Sequence, residues 1–377
     1  MNGKTSKINS RKLNKQLHLW LGLISGLIIF IVSLSGTLFV FCDEIIDLIA
    51  GDAKYVAVPP PPTEKKSIVE LMEVFNRKYP DRELFYFDTF TDPARSFRVA
   101  SEKNEGDFMY TYMDPYTGDV LKNSRSYWFF FYIASQIHAQ LLMGSVGHWV
   151  VGIATIIFFI ELVTGLILWF PRKWNRKVLK SLFLIKRKAP WKRVNYDLHK
   201  VIGFYIMIPA LIISFTGIIM AFSMLGNLTQ KAFNGMPDGF TRMREFFPPH
   251  QPERPVPSFD KVVANLFDLY PSARQVRLTT PFEEKGTVYY TAIGEKVGLK
   301  SQDNGLFFFT DKYTGMPIKC PQVFTNHNTI VQTIYDLHVG HWWGLWGKII
   351  IFITGLVCTS LPVTGLVIWV QRRKKHS

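Results

Sequence analysis

Cysteine is scarce in this chain of 377 residues, where Cys42, Cys320 and Cys358 are the only three. None stands at the spacing of a metal-ligand set or a redox pair, which argues against a disulfide framework and a cysteine-ligated iron–sulfur cluster. A single bridge between Cys42 and Cys320 stays open if both lie on one side of a membrane. No G-x-G-x-x-G fingerprint is visible, so no nicotinamide or flavin site of that type is expected. Acidic residues are few, 29 against 44 Lys and Arg, for a formal net charge of +15. Charge of either sign is also nearly missing from four long apolar stretches.

Those stretches, roughly 19–42, 146–170, 201–224 and 343–370, each approach or exceed the roughly 20 residues needed to cross the hydrocarbon core. Glu161 is the one charge near the centre of any of them. The fold class is therefore a polytopic α-helical membrane protein with four transmembrane helices. Lys4, Lys7, Arg11, Lys12 and Lys15 precede the first span. Ten basic residues and no acidic one lie between Arg172 and Arg193, and Arg372 to Lys375 follow the fourth span. The positive-inside rule puts all three segments in the cytoplasm. The net charge is thus a topology signal, and no nucleic-acid partner is expected. The resulting plan has cytoplasmic segments at 1–15, 171–194 and 371–377 and spans at 16–42, 136–170, 195–224 and 336–370. The first span is read as retained, because its apolar run is too long for a leader and no small-x-small cleavage site follows. Trp20, Trp149, Trp169, Trp342, Trp343 and Trp369 sit near span ends, as interfacial aromatics do.

The chain also repeats. Leu17-His18, Gly22 and Ser35-Gly36 in the first span recur with the same spacing as Leu198-His199, Gly203 and Thr216-Gly217 in the third. Ile137-His138, Gly144, Gly147, Thr164-Gly165-Leu166 and Trp169 recur, 200 residues on, as Leu337-His338, Gly344, Gly347, Thr364-Gly365-Leu366 and Trp369. Between the spans lie two outer segments, 60–125 and 255–322. Each reads as a helix (Ser67 to Tyr79, Phe259 to Tyr270), then strands, then an Asp-x-Tyr-Thr-Gly turn at 114–118 and 311–315. The plan is two tandem copies of helix, outer α+β domain, helix, with a pseudo-two-fold axis along the membrane normal.

Symmetry turns the histidines into pairs. His18 and His199 fall near the cytoplasmic ends of spans one and three, and His138 and His338 near the outer ends of spans two and four. Two neutral imidazoles from facing helices are how a bundle holds a b-type haem iron, and the bland reading of each one alone is an interfacial side chain. Gly22, Gly36, Gly203 and Gly217 leave room for a bulky guest or for close helix packing. One distance is awkward: the 31 residues from His338 to Trp369 would reach about 46 Å as one helix. Either spans two and four tilt or break near Gly144, Gly147, Gly344 and Gly347, or His148 or His341 serves as a secondary ligand. Glu161 has a proton- or quinol-linked role or is a buried, paired carboxyl. Arg98, Arg274 and Arg277 are exposed charges or an anion site.

In this order the motifs resemble the PepSY-associated transmembrane family, which includes iron-regulated membrane proteins and the inner-membrane ferric-siderophore reductases of Gram-negative bacteria. The likeness covers nearly the whole chain and includes the Trp169-Phe170-Pro171-Arg172 ending of span two. It implies two periplasmic PepSY-like domains and two haem b groups, with His18, His138, His199 and His338 as iron ligands. It also implies a bacterial inner-membrane location. The implied activity is reduction of a periplasmic ferric complex, such as a ferric siderophore, with electrons from a cytoplasmic donor or quinol. The lipid bilayer is the remaining partner. Two rival functions stay open: a non-catalytic membrane protein whose outer domains bind peptides or proteins, and a siderophore transporter.

Overall fold

The computed structural model describes residues 10–104, 107–279, 286–299, 302–303 and 305–373. Lys4, Lys7, Lys374 and Lys375 of the expected basic tails lie outside them. In chain order, α1 (Ser10–Phe39) is followed by α2 (Cys42–Ala50), α3 (Ile68–Lys78) and strands β1 (Glu83–Phe90), β2 (Phe97–Glu102), β3 (Phe108–Met113) and β4 (Val120–Ser124). Then come α4 (Arg125–Gln140), α5 (Gly144–Trp169), α6 (Arg176–Phe183), α7 (Trp191–Asp197), α8 (Gly203–Tyr205) and α9 (Met207–Ala221). After α10 (Ser223–Ala232), α11 (Gly239–Arg242) and α12 (Phe259–Leu269) the chain forms β5 (Gln275–Thr279), β6 (Val288–Gly294), β7 (Lys296–Val297), β8 (Gln302–Asp303) and β9 (Leu306–Asp311). The last two helices are α13 (Gln322–Val339) and α14 (Gly344–Arg373). The elements divide into two compact units, one helical and one built on the sheet.

In the helical unit, α1, α5 and α14 form three helices long and apolar enough to cross a membrane. The stretch Trp191–Tyr205 and α9 form a pair bent by 66° that makes a fourth if counted as one span. Pro209 explains the bend, because it cannot donate to the carbonyl four residues back and its ring crowds that turn. Just before the bend, Leu198–Ile202 forms a π-helical turn that carries His199.

The expected second and fourth spans, 136–170 and 336–370, are each interrupted. Leu141 (φ 51°), Leu142 (φ 59°) and Gly144 (φ 57°) take left-handed backbone between α4 and α5. Gly340 (φ 78°) and Gly344 (φ 55°) flank a 3-10 turn between α13 and α14. Gly344 tolerates such a φ because it has no Cβ. The 46 Å reach inferred for an unbroken helix therefore does not arise.

In the sheet unit, the two outer segments share one antiparallel sheet of seven strands in the order β4-β3-β2-β1-β5-β6-β9. The join is β1 with β5, registering Asp88 opposite Arg277 and Phe87 opposite Leu278. The two outer segments, each expected to fold as an α+β domain, thus join edge to edge in one sheet, and α3 and α12 pack on it over a shared hydrophobic cluster. Phe75 of α3, Leu266 of α12, and Phe87, Val99, Val276 and Leu278 of the sheet are all buried in it. Each helix is capped where the sequence changes from proline-rich spacer to apolar period. Ser67 and Glu70 form a reciprocal capping box, and the Ser258 hydroxyl accepts from Lys261 N. The two Asp-x-Tyr-Thr-Gly motifs are turns. Asp114 Oδ1 accepts from Tyr116 N at 2.8 Å, and Asp311 Oδ1 from Tyr313 N at 2.7 Å. Gly118 and Gly315 supply the left-handed residue. None of the three cysteines forms a disulfide, so the Cys42–Cys320 bridge is not made.

Candidate functional site

Within the helical unit the four repeat histidines meet in two pairs. The rings of His18 and His199 have centroids 6.3 Å apart, and those of His138 and His338 are 5.9 Å apart. Each ring is held by its Nδ1. His18 Nδ1 lies 3.0 Å from Thr164 Oγ1, and His199 Nδ1 lies 2.9 Å from Thr364 Oγ1. His138 Nδ1 meets the Val32 carbonyl at 2.8 Å, and His338 Nδ1 meets the Ile213 carbonyl at 3.1 Å and Thr216 Oγ1 at 3.0 Å.

Hydrogen accounting fixes the tautomers. A carbonyl only accepts, so Nδ1 of His138 and of His338 carries the proton. Thr164 donates its one hydroxyl proton to the Glu161 carbonyl, and Thr364 donates to the carbonyls of Ser360 and Leu361. Their oxygens therefore accept from the Nδ1–H of His18 and His199. In all four rings Nε2 is left with its lone pair, the form in which neutral imidazole binds a metal.

The glycines divide by what they face. A Cβ at Gly36 would stand 2.7 Å from His138 Cε1, one at Gly217 3.2 Å from His338 Cε1, one at Gly165 3.2 Å from His18 Cε1 and one at Gly365 3.4 Å from His199 Cε1. Gly22 and Gly203, expected beside the same guest, instead accommodate the side chains of Glu161 and Leu361. In the sequence Gly165 and Gly365 read only as repeat markers. The signal for their role was the Thr-Gly pair itself: the threonine anchors the imidazole and the glycine makes room for it.

The secondary candidates stand apart from these pairs. His148 Nε2 meets the Ala221 carbonyl at 2.8 Å, and His341 Nδ1 faces Asp336 at 3.6 Å. Glu161 hydrogen-bonds Ser25, whose hydroxyl reaches the Leu21 carbonyl at 3.0 Å. The repeat equivalents of this polar pair are Leu361 and Ile206, which pack together in an apolar cluster. Among the described residues no group of three or more His, Cys, Asp or Glu is placed to hold a metal ion.

The sequence model of the family described as the PepSY-associated TM region matches residues 15–372. The chain belongs to the PepSY-associated TM family. No curated protein matches it.

The sheet unit of this PepSY-family protein holds the remaining candidates. Arg98 and Arg277 are buried, against the expectation of exposed charges, and Arg274 is exposed. Asp88, fully buried, receives Arg98 Nε at 2.7 Å and Arg277 Nε at 2.8 Å. The guanidinium groups also donate to the Val297 and Gly298 carbonyls. Burial pushes the Asp88 carboxyl up, but Arg277 and Arg98 together outweigh it and hold the group below its ordinary value. Burial raises the Tyr86 hydroxyl to about 12. Since Arg98 lies on β2, Asp88 on β1 and Arg277 on β5, the cluster pins the two modules together and presents no open anion site.

Proposed function

We propose that this PepSY-family membrane protein holds one b-type haem at each histidine pair and moves electrons across the membrane to an acceptor on the far side. The observation that carries the proposal is the ring spacing. Two imidazoles bonded to one metal through Nε2 at about 2 Å have centroids about 6 Å apart, which the separations of 6.3 and 5.9 Å match. Single-tautomer anchoring and a glycine beside every ring fit the same use. Bound haem would supply a one-electron carrier.

The residues of the chain supply position. Thr164, Thr364, Thr216 and the Val32 and Ile213 carbonyls aim the rings, and α1 sets the separation. His18 itself lies on α1, and the Val32 carbonyl on the same helix holds His138, so both pairs touch α1, where 14 residues separate His18 from Val32, about 21 Å of helix axis. The acceptor implied by the family resemblance is a ferric complex, and the donor is a cytoplasmic protein or quinol. Four spans with the basic ends in the cytoplasm complete the reading.

A second reading is a non-catalytic, membrane-anchored protein-binding module. Family membership and the lack of a three-donor metal group among the described residues support it directly, whereas the paired rings support the first. The spectrum of full-length protein from haem-replete cells separates them. Two haems per chain with low-spin, bis-histidine bands are expected. His18→Ala or His199→Ala should remove one haem, and His138→Ala or His338→Ala the other. Colourless protein, or four variants that all retain the parental spectrum, overturns the proposal in favour of the second reading.

A further inference from the structure

A cavity of about 360 Å³ opens between α7 and the last turn of α14. Lys192, Arg193 and Arg372 line it beside Tyr196 and Ile368, and none of the lining residues is acidic. Arg193 is paired with Asp197 at 2.9 Å and lies over the Tyr196 ring. Lys192 Nζ donates to the Gln371 carbonyl at 3.1 Å, which leaves two of its three protons for another acceptor. With one carboxylate against three cations, the site keeps an excess of about two positive charges.

The equivalent corner of the first half is built differently. There Arg11, the repeat counterpart of Lys192, reaches over the end of α5 and donates to the carbonyls of Phe170 and Leu168 at 3.2 Å. Helix α5 stops at Trp169 because Pro171 follows, whereas α14 continues past Trp369 to Arg373. That extra turn provides Gln371 and Arg372 as a wall. The cavity therefore follows from a departure from the repeat.

We propose that this cavity binds the phosphate headgroup of an anionic phospholipid. The cations suit a phosphate oxygen. Ile368 and the Tyr196 ring give an apolar wall, and the site lies just past Trp369, the level where interfacial aromatics meet headgroups. Basic pockets between transmembrane helices on the basic side of a membrane protein bind such lipids. This inference is independent of the histidine pairs.

Native mass spectrometry of the full-length protein in detergent, titrated with phosphatidylglycerol, phosphatidylcholine or inorganic phosphate, tests it. Phosphatidylglycerol should bind at least about tenfold more tightly than phosphatidylcholine, since each cation contributes about fivefold. Lys192→Ala with Arg372→Ala should weaken it about 25-fold by the same arithmetic. Arg372→Gln alone, at the exposed helix end, should weaken it about fivefold and keeps the test readable if the double variant is poorly folded. Arg176→Gln with Lys177→Gln, on exposed α6 positions, should leave binding unchanged. Equal binding of both lipids, an equal loss in the α6 variant, or no loss in Arg372→Gln overturns the proposal. Displacement of the lipid by millimolar inorganic phosphate also overturns it, assigning the cavity to a soluble phosphate.

Discussion

Replacing each ring-facing glycine by alanine should give a graded series, because the four positions have different space for a methyl group. In a helix interior alanine gains roughly 0.5–1 kcal/mol over glycine. At Gly365 the new Cβ would stand 3.4 Å from His199 Cε1, an ordinary contact, so Gly365→Ala should raise stability by about that gain. At Gly36 the Cβ would fall 2.7 Å from both Cε1 and Nδ1 of His138. Overpacking costs about 1–3 kcal/mol, and losing the Nδ1–Val32 hydrogen bond adds about 0.5–1.5 kcal/mol. Gly36→Ala should therefore destabilise by about 0.5–4 kcal/mol net. Gly165→Ala and Gly217→Ala, both at 3.2 Å, should fall between. Thermal unfolding of the full-length protein in detergent gives the ranking. Absorption spectra add a second readout, since only Gly36→Ala and Gly217→Ala touch the His138–His338 pair. If Gly36→Ala is as stable as Gly365→Ala and its spectrum matches the parent, His138 does not rest against Gly36 and the reasoning fails.

Three further outcomes follow from contacts described above. Thr164→Val removes the acceptor that fixes the His18 tautomer, and loss of such a partner typically lowers metal affinity about 10–100-fold. Haem retention in competition with apomyoglobin measures this, and unchanged retention refutes the anchoring role. Ser25→Ala leaves the Glu161 carboxyl without its partner at a cost of about 1–3 kcal/mol, whereas Glu161→Leu, copying the Leu361 arrangement, should be near neutral. Equal losses in the two variants would contradict this. Asp88→Asn leaves two buried guanidinium groups facing no carboxylate, a loss of about 3–5 kcal/mol. Because the folded-state value of Asp88 is depressed, its stabilisation is present above about pH 4, the unfolded carboxylate range, and is lost as pH falls through the lower folded value. Acid unfolding curves should therefore show parent and Asp88→Asn converging below about pH 4; curves that stay parallel would assign the acid response to other groups.

The spans were legible because hydropathy depends on composition, and the histidine pairs because repeat spacing places Leu17-His18 and Leu198-His199 on equivalent turns. The interruptions at Leu141–Leu142 and Gly340 were legible only in part, through Gly144 and Gly344: the left-handed backbone of two leucines has no residue signature. Arg98 and Arg277 read as surface charges because their carboxylate comes from a different strand, and for Arg277 from the other half of the chain. Strand partners so distant in sequence leave no local period. For the same reason the sequence leaves Gly22 and Gly203 open between space for a guest and close helix packing, since what a helix face meets is set by the neighbouring helix.

The pairing of β1 with β5 constrains the order of assembly. Phe90 and Gln275 lie opposite each other, yet the segment between them contains α5 and the bent α7–α9 stretch. As the chain is synthesised, β1 is complete long before its central neighbour exists, and one side of the first module stays an open strand edge of the kind that invites mispairing. Such long-range pairing is slow to close. The sheet can reach its seven-strand form only after the intervening apolar helices have been made. A chain cut short before residue 275 would carry Asp88 with only one of its two arginines.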